Sequence, residues 1–543
     1  MVGVAGKSKG CKTCRQRKIA CGLQRPQCVQ CVRSNRVCAG YEREKIFVPV
    51  QPSAKDRKTV MKSSFDEVRK TASTNGASAG PAGSLTRDSK ICPRVVGPAT
   101  SAGAEILATA TYRQYLLNAF VSCCIPETQR GQNKFRPWFV LLPEFLMRTK
   151  ALETSSLAIS AAALGRLYDD PVLIRESLKL YTQGLRELRK ALWNPKLVYD
   201  DEILAACLAL SMYELMECPA EAWYAYASHC NGWLKLVQLR GVDAHTSGIA
   251  HELFVGLRHQ GILYSMEMRQ PTFLSEPLWM EGPWKDSPKR LLDRLVDCLA
   301  LAPGIFKQSD DFKNLRSRGL LDSALDVTRK CWQLDTTLQS IYNDLEKETP
   351  GPLYWSVLSE EDNQADDPEH GKVFPVAFQF PDLSMAGTMM MYWATTVVLW
   401  SGMCELYHFI PTIEVDAVDA YCFNYPNCLR KPDSPCHCAD LITTSSGSLR
   451  FDLSRLPPLG HRTDFLSHAR NVCQSVEYCL KNPMQMGGAF TVTAPLSMVF
   501  ETVKHDARCA RETAWMRAAL KKVQKRGLRI LKYPNTTRRA QGN

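Results

Sequence analysis

The sequence predicts a mostly α protein in three parts: a small N-terminal module (residues 1–45) held by metal, a disordered linker (46–104) and a large all-α domain (105–543). Three observations carry this. Six cysteines repeat at fixed spacing within the first forty residues, the next sixty are almost without aromatic residues, and apolar residues beyond about 105 recur at steps of three and four.

The cysteines are Cys11, Cys14, Cys21, Cys28, Cys31 and Cys38, which is Cys-x2-Cys-x6-Cys written twice with an offset of 17 residues. Cysteines buried as small hydrophobes have no reason to repeat this way, whereas a Cys-x2-Cys turn brings two thiolates to one zinc. One tetrahedral zinc would be over-supplied by six thiolates. Two zinc ions need eight ligand positions and find six ligands, so two thiolates must bridge. If the halves are related by the pseudo-twofold symmetry their spacing suggests, the bridges are the first cysteine of each half, Cys11 and Cys28. Cys14 and Cys21 then complete one zinc, and Cys31 and Cys38 the other.

The residues between the ligands are Lys12, Arg15, Arg17 and Lys18 in the first half, followed by Arg25, Arg33 and Arg36. Residues 1–45 hold eleven Lys and Arg against two Glu, a balance of +9. A module too small for a core, with so basic a surface, has the electrostatic footprint of a nucleic-acid binder.

The stretch from Cys11-Lys-Thr-Cys14-Arg15-Gln-Arg17-Lys18 to Cys38-Ala-Gly-Tyr41 resembles the fungal binuclear zinc cluster DNA-binding domain. The resemblance implies that each half begins a short helix after its Cys-x2-Cys turn, that the first helix enters the major groove, and that CGG-type triplets are read. Carried onto this chain, Lys18 matches the residue contacting guanine edges, with Arg17 beside it, and Arg15 and Arg33 sit where phosphates are held. Lys12 belongs to the same basic set. Guanine O6 and N7 are acceptors that Lys and Arg satisfy. Ala20 stands where a second Lys is usual, and Gly22 where an acidic or hydroxyl residue is common.

Between Phe47 and Tyr112 the one aromatic residue is Phe65, and residues 73–104 are dominated by Ser, Thr, Gly, Ala and Pro, a composition that cannot bury enough surface to fold. Val60, Met61, Phe65 and Val68 make barely two turns of a heptad pattern, too few for a dimerising coiled coil.

In the large domain Ile174, Leu178, Tyr181, Leu185, Leu188 and Leu192 define one face of a helix expected to end before Pro195. Asp200 or Asp201 is expected to cap the next, through Leu204, Leu208 and Met212. Tyr213-Glu214, His229, Arg240-Gly241, Phe254 and Arg258 resemble the fungal-specific transcription factor domain that commonly follows the cluster. So do Phe374-Pro375, Trp393, Pro495-Leu496, Trp515 and Gly527, and the resemblance spans most of 105–533. His229 alone reads as a hydrogen-bonded core residue.

Met385 to Cys404 is an uncharged run of twenty residues. Its glycines, threonines and acidic flanks favour a buried helix over a membrane span. Cys422, Cys428, Cys436, His437 and Cys438 fit no regular metal spacing and read as a thiol-bearing loop. Residues 513–543 hold nine Lys and Arg and no acid, so the chain's net +13 leaves the body between the basic ends at −5. The run Arg517, Lys521, Lys522, Lys525, Arg526 and Arg529 reads as a solvated helix face. Glu360, Glu361, Asp362, Asp366, Asp367 and Glu369 read as an acidic loop between helices.

Met1 to Gly10 carries lysines and no apolar run, so no secretory signal is expected there. No Gly-x-Ser-x-Gly elbow, phosphate loop or dinucleotide fingerprint is present, and His251-Glu252 lacks the second histidine of a metalloprotease helix. The expectation is a nuclear, non-enzymatic, zinc-dependent transcription factor of RNA polymerase II genes with two zinc ions. Its expected partners are double-stranded DNA and the transcription machinery, with a homodimer and a small-molecule effector also admitted and no membrane. The competing reading is a protein-docking or metabolite-sensing regulator that does not itself read sequence.

Overall fold

The computed structural model of the protein describes residues 11–17, 19, 21–24, 27–38, 110–126, 137–217, 223–416, 418–420, 437–445, 447–526 and 528. The chain divides into two units, Met1–Val95 and Val96–Asn543. The expected linker, the short heptad pattern, Lys18, Arg25, Cys422, Cys428, Cys436, Gly527 and Arg529 lie outside the described residues.

Among its described residues the first unit contains two five-residue helices, α1 (Lys12–Gln16) and α2 (Val29–Arg33). Its buried centre is Cys11, Cys14, Cys28 and Cys31, with Cys21 and Cys38 packed against them. Four sulfurs in place of a hydrocarbon core mean that whatever binds the sulfurs holds the fold.

The second unit is a helical assembly around one large apolar core, beside which Ala158, Ala162 and Tyr213 form a small second cluster. It opens with α3 (Ala110–Cys124) and α4 (Lys150–Leu167), the latter capped by Thr149, whose hydroxyl accepts from Leu152 N at 3.3 Å. Helix α5 (Pro171–Leu192) starts where Asp170 Oδ1 accepts from Val172 N and Leu173 N, with Pro171 at the first position, and it stops before Pro195 as expected. Of the two expected caps, Asp200 fills the role, accepting from Glu202 N at 2.9 Å at the start of α6 (Asp201–Glu217).

The buried face of α5 differs from the expected one. Leu178 is 55% exposed and Leu192 43%, while Ser177, Gly184, Leu188 and Ala191 are buried. The stripe is turned toward small residues because α4 lies close: Ser155 Oγ is 3.0 Å from where a Cβ on Gly184 would sit. Close helix approach selects small side chains over the largest apolar ones.

Helices α7 (Trp223–Arg240), α8 (Gly248–Met268), α9 (Pro277–Glu281), α10 (Leu291–Asp310) and α11 (Ser317–Glu348) follow. The uncharged run lies within α12 (Leu383–Phe409), buried along nearly its whole length by residues that include Met389, Met390, Trp393, Val397 and Trp400. Among the described residues no helix is long and apolar enough to cross a membrane. Trp400 Nε1 donates to Asp335 Oδ1 at 2.6 Å and Arg462 Nη2 to Oδ2 at 2.6 Å, tying α12 to α11 through one carboxylate. Helices α13 (Phe465–Cys479), α14 (Gln485–Val503) and α15 (Ala510–Lys525) are the last among the described residues.

Two short antiparallel hairpins were not expected. β1 (Trp355–Leu358) pairs with β2 (Val376–Gln379) in the register Trp355↔Gln379, and β3 (Leu441–Thr443) with β4 (Leu449–Phe451). The acidic segment therefore joins two strands rather than two helices. It is folded on itself, with Asp366 accepting from Asn363 N and Val373 N, and it is tied to α15 by Lys522 on Glu361 at 3.2 Å.

Candidate metal centre and nucleic-acid interface

The 17-residue offset in the sequence reappears as an offset in hydrogen bonds. Cys14 N donates to Cys11 Sγ at 3.4 Å, and Cys31 N to Cys28 Sγ at 3.4 Å. Ile19 N donates to Cys14 O, and Arg36 N to Cys31 O. The two halves thus repeat one local fold. Each helix begins inside its Cys-x2-Cys segment and carries the second cysteine, instead of starting after it. The first thiol of each pair acts as the cap, accepting the N–H that a helix start leaves free.

The sulfurs converge into two groups, Cys11, Cys14, Cys21 and Cys28, and Cys11, Cys28, Cys31 and Cys38; within each, all sulfurs lie within 4.8 Å of one another. The groups share Cys11 and Cys28, 3.6 Å apart. Burial pushes the thiols of Cys11, Cys14 and Cys31 upward, Cys31 to about 12, and contact with Cys28 adds to it. Sulfurs so placed resist ionising one by one, and a cation among them reverses that balance. Donor type and crowding therefore fit zinc.

Lys12 and Arg15 fall within α1. Arg17 and Arg33 are exposed. Arg17 Nη1 donates to Ser34 Oγ at 3.1 Å, so this side chain also ties the first half to the second. Ser34 was not singled out in the sequence, although it stands one 17-residue repeat after Arg17. Thr13 Oγ1 adds a second tie, to Val37 O at 3.1 Å.

Elsewhere, His437 lies beside Asp440 at 3.1 Å and Cys438 is buried. Among the described residues, the groups able to hold a metal are the two N-terminal ones. Arg517, Lys521, Lys522 and Lys525 line the solvent side of α15, opposite buried Met516, Ala519 and Val523. Tyr213-Glu214 and His229 meet in the core, His229 Nε2 lying 3.2 Å from Glu214 Oε1.

Comparison with known families matches residues 9–45 to the fungal Zn(2)-Cys(6) binuclear cluster domain and residues 115–265 to the fungal specific transcription factor domain. The chain thus joins a zinc cluster domain at its N-terminus to a fungal-specific transcription factor domain downstream, the build of a fungal zinc cluster transcription factor. The second match ends at 265, so the resemblance read at Phe374-Pro375, Trp393, Pro495-Leu496 and Trp515 lies beyond it. An uncharacterized protein of Emericella nidulans is 32% identical over 123 residues, a stretch covering 22% of this chain and 26% of that relative. No solved structure matches the chain.

Proposed function

We propose that the protein is a nuclear, zinc-dependent, sequence-specific DNA-binding regulator of RNA polymerase II genes that works by binding rather than catalysis. The observation that carries this is the pair of four-sulfur groups sharing Cys11 and Cys28, in a unit with arginines and lysines between the ligands. Two zinc ions would be held, Cys14 and Cys21 completing one and Cys31 and Cys38 the other, with Cys11 and Cys28 bridging. The zinc supplies structure, fixing the two halves as one rigid body. Residues 1–45 form the reading module, 46–104 the linker and 105–543 the helical part that engages the transcription machinery.

Lys18 with Arg17 would meet guanine O6 and N7 of CGG-like elements in the major groove, while Lys12, Arg15 and Arg33 hold phosphates. The test is a randomised-duplex selection with the full chain, with zinc and after chelation, at one stated salt concentration. Enrichment of CGG-like sites with zinc alone is expected. Lys18→Ala should relax the contacted base by about 1–3 kcal/mol, whereas Arg15→Ala or Arg33→Ala should weaken all sequences alike. Enrichment in neither condition would replace this reading with a protein-docking module.

A further inference from the structure

Helix α5 carries a second stripe beside the one it buries. Arg175, Leu178, Thr182, Leu185, Arg189 and Leu192 follow one another at alternating steps of three and four, so they lie in one line along the helix. All six are exposed except Leu185, which is partly packed on the core. The three leucines are seven residues apart and span about 21 Å. Trp193, the residue that ends the helix, is 83% exposed at the same end as Leu192. Single apolar residues on a surface are ordinary, but a line of leucines ending in a tryptophan is a patch that water does not favour.

The same face is positive. Arg175 and Arg189 stand in the line and the exposed Arg186 beside it, and among the described residues no carboxylate or other acceptor meets the three guanidinium groups. The two acids of α5 are already engaged, Glu176 with Lys179 at 2.6 Å and Glu187 with Lys190 at 2.7 Å. Apolar contact and unneutralised positive charge thus share one surface.

Charge selects what covers such a face. A second copy of the chain would set arginines against arginines. Residues 46–104 hold nine Lys and Arg against four Asp and Glu, and residues 513–543 hold no acid, so neither segment complements it. The acidic segment between β1 and β2 is engaged on α15 through Lys522. A helix lying in a membrane keeps its charges off its apolar line, whereas here arginines interrupt that line. Nucleic-acid phosphates would meet the arginines and leave the leucines in water. We infer that this face of α5 docks an acidic amphipathic helix of another protein, whose apolar residues at matching steps pack on Leu178, Leu185 and Leu192 while its carboxylates meet Arg175, Arg186 and Arg189. The inference rests on the proposed role of residues 105–543 as the part that engages the transcription machinery, and gives that role a surface.

The test uses the full-length, zinc-loaded protein and a fluorescein-labelled peptide of three Glu-Leu-Ala-Glu-Glu-Leu-Ala heptads, followed by fluorescence anisotropy. Saturable binding that weakens with added salt is expected, because exposed charges are screened. The peptide with every Glu changed to Lys, and the one with every Leu changed to Ser, should each bind about ten-fold more weakly or worse. Arg175→Glu/Arg189→Glu should weaken the acidic peptide by about ten-fold or more and bind the lysine peptide better than the unaltered chain does, a reversal that misfolding cannot produce. No saturable binding, equal binding of the acidic and lysine peptides, or undiminished binding of the acidic peptide by Arg175→Glu/Arg189→Glu would each overturn the site. A dimer of the protein alone in sedimentation, dissolved by Leu178→Ser/Leu192→Ser, would give the face to a second copy and overturn it too. So would binding of duplex DNA or phosphatidylserine vesicles that Arg175→Glu/Arg189→Glu weakens as strongly as the peptide. The peptide is followed without DNA, so this outcome is separate from that of the duplex selection.

Discussion

At the residue scale, Glu214 shows how much one buried side chain organises. It is 1% exposed, accepts the Tyr181 hydroxyl from α5 and faces His229 from α7, while the Tyr181 ring stacks on Tyr213 at 4.4 Å. Three helices meet on one carboxyl. Glu214→Ala removes their common acceptor and should destabilise the helical unit by about 1–3 kcal/mol, read from the denaturant midpoint. Glu214→Gln, which keeps an acceptor oxygen, should lose less. A Glu214→Ala midpoint equal to that of the unaltered chain would show that the pairing contributes nothing to stability. Legibility at this scale follows sequence distance. The six cysteines were readable because a metal demands ligands at short fixed spacing, and their grouping around Cys11 and Cys28 follows from counting together with the twofold repeat of the spacing. Tyr181 lies 33 residues before Glu214, and nothing local joins them. That Arg175, Arg186 and Arg189 meet no acceptor among the described residues was likewise invisible, because lacking a partner is a property of the folded neighbourhood.

At the scale of elements, helix limits were legible and helix faces less so. Asp170-Pro171 and Asp200 mark their helix starts through bonds to the next few residues, a signal contained in the sequence itself. Which face of α5 is buried depends on how near α4 comes, and no periodicity reports that. The hairpin β1–β2 escaped because its four-residue strands are shorter than any dependable alternation and are separated by the acidic segment. The start of α14 gives the sharpest prediction. A Cβ on Gly488 would lie 1.7 Å from Cys479 O, at the end of α13, and the obstacle is backbone rather than a rotatable side chain. Gly488→Ala must therefore push α14 away from α13 and should cost about 3 kcal/mol, as a lowered thermal midpoint. Gly232→Ala, where a Cβ meets nothing within 4 Å, is the matched control and should not be destabilising. Equal midpoints for the two variants would refute the close approach.

At the scale of the whole molecule, acid stability is set by histidines that fold neutral. Burial is the leading cause for His245, His259 and His468, each pushed down to about 4; Arg240 adds to it at His245, Arg258 at His259 and His461 at His468, where Asp464 opposes. All three have a buried ring nitrogen without a hydrogen-bond partner, so a proton placed there finds no acceptor in the folded state. Unfolded, each would take up its proton near pH 6.5. Between about 6.5 and 4 the unfolded chain thus binds more protons than the folded one, and the free energy of unfolding falls as pH falls. The contribution is complete above pH 6.5 and is lost progressively toward 4, with a limiting slope of about 1.4 kcal/mol per pH unit for each histidine. Carboxylates act lower: Asp326 is held at about 2, burial opposing but outweighed by Lys330, Gln308 and Arg329, so its contribution fades only below pH 4. The net charge of +13 rises further as carboxylates protonate and adds repulsion in the same direction. Thermal midpoints of the full chain at constant ionic strength should therefore drop between pH 6.5 and 4.5, before acidic pairs begin to protonate. His468→Leu places an apolar side chain beside Trp400, whose ring is 4.9 Å away, and should make that drop shallower by one histidine's share. A midpoint flat across this window, or a slope unchanged by His468→Leu, would mean that these rings reach protons in the folded state as readily as in the unfolded one.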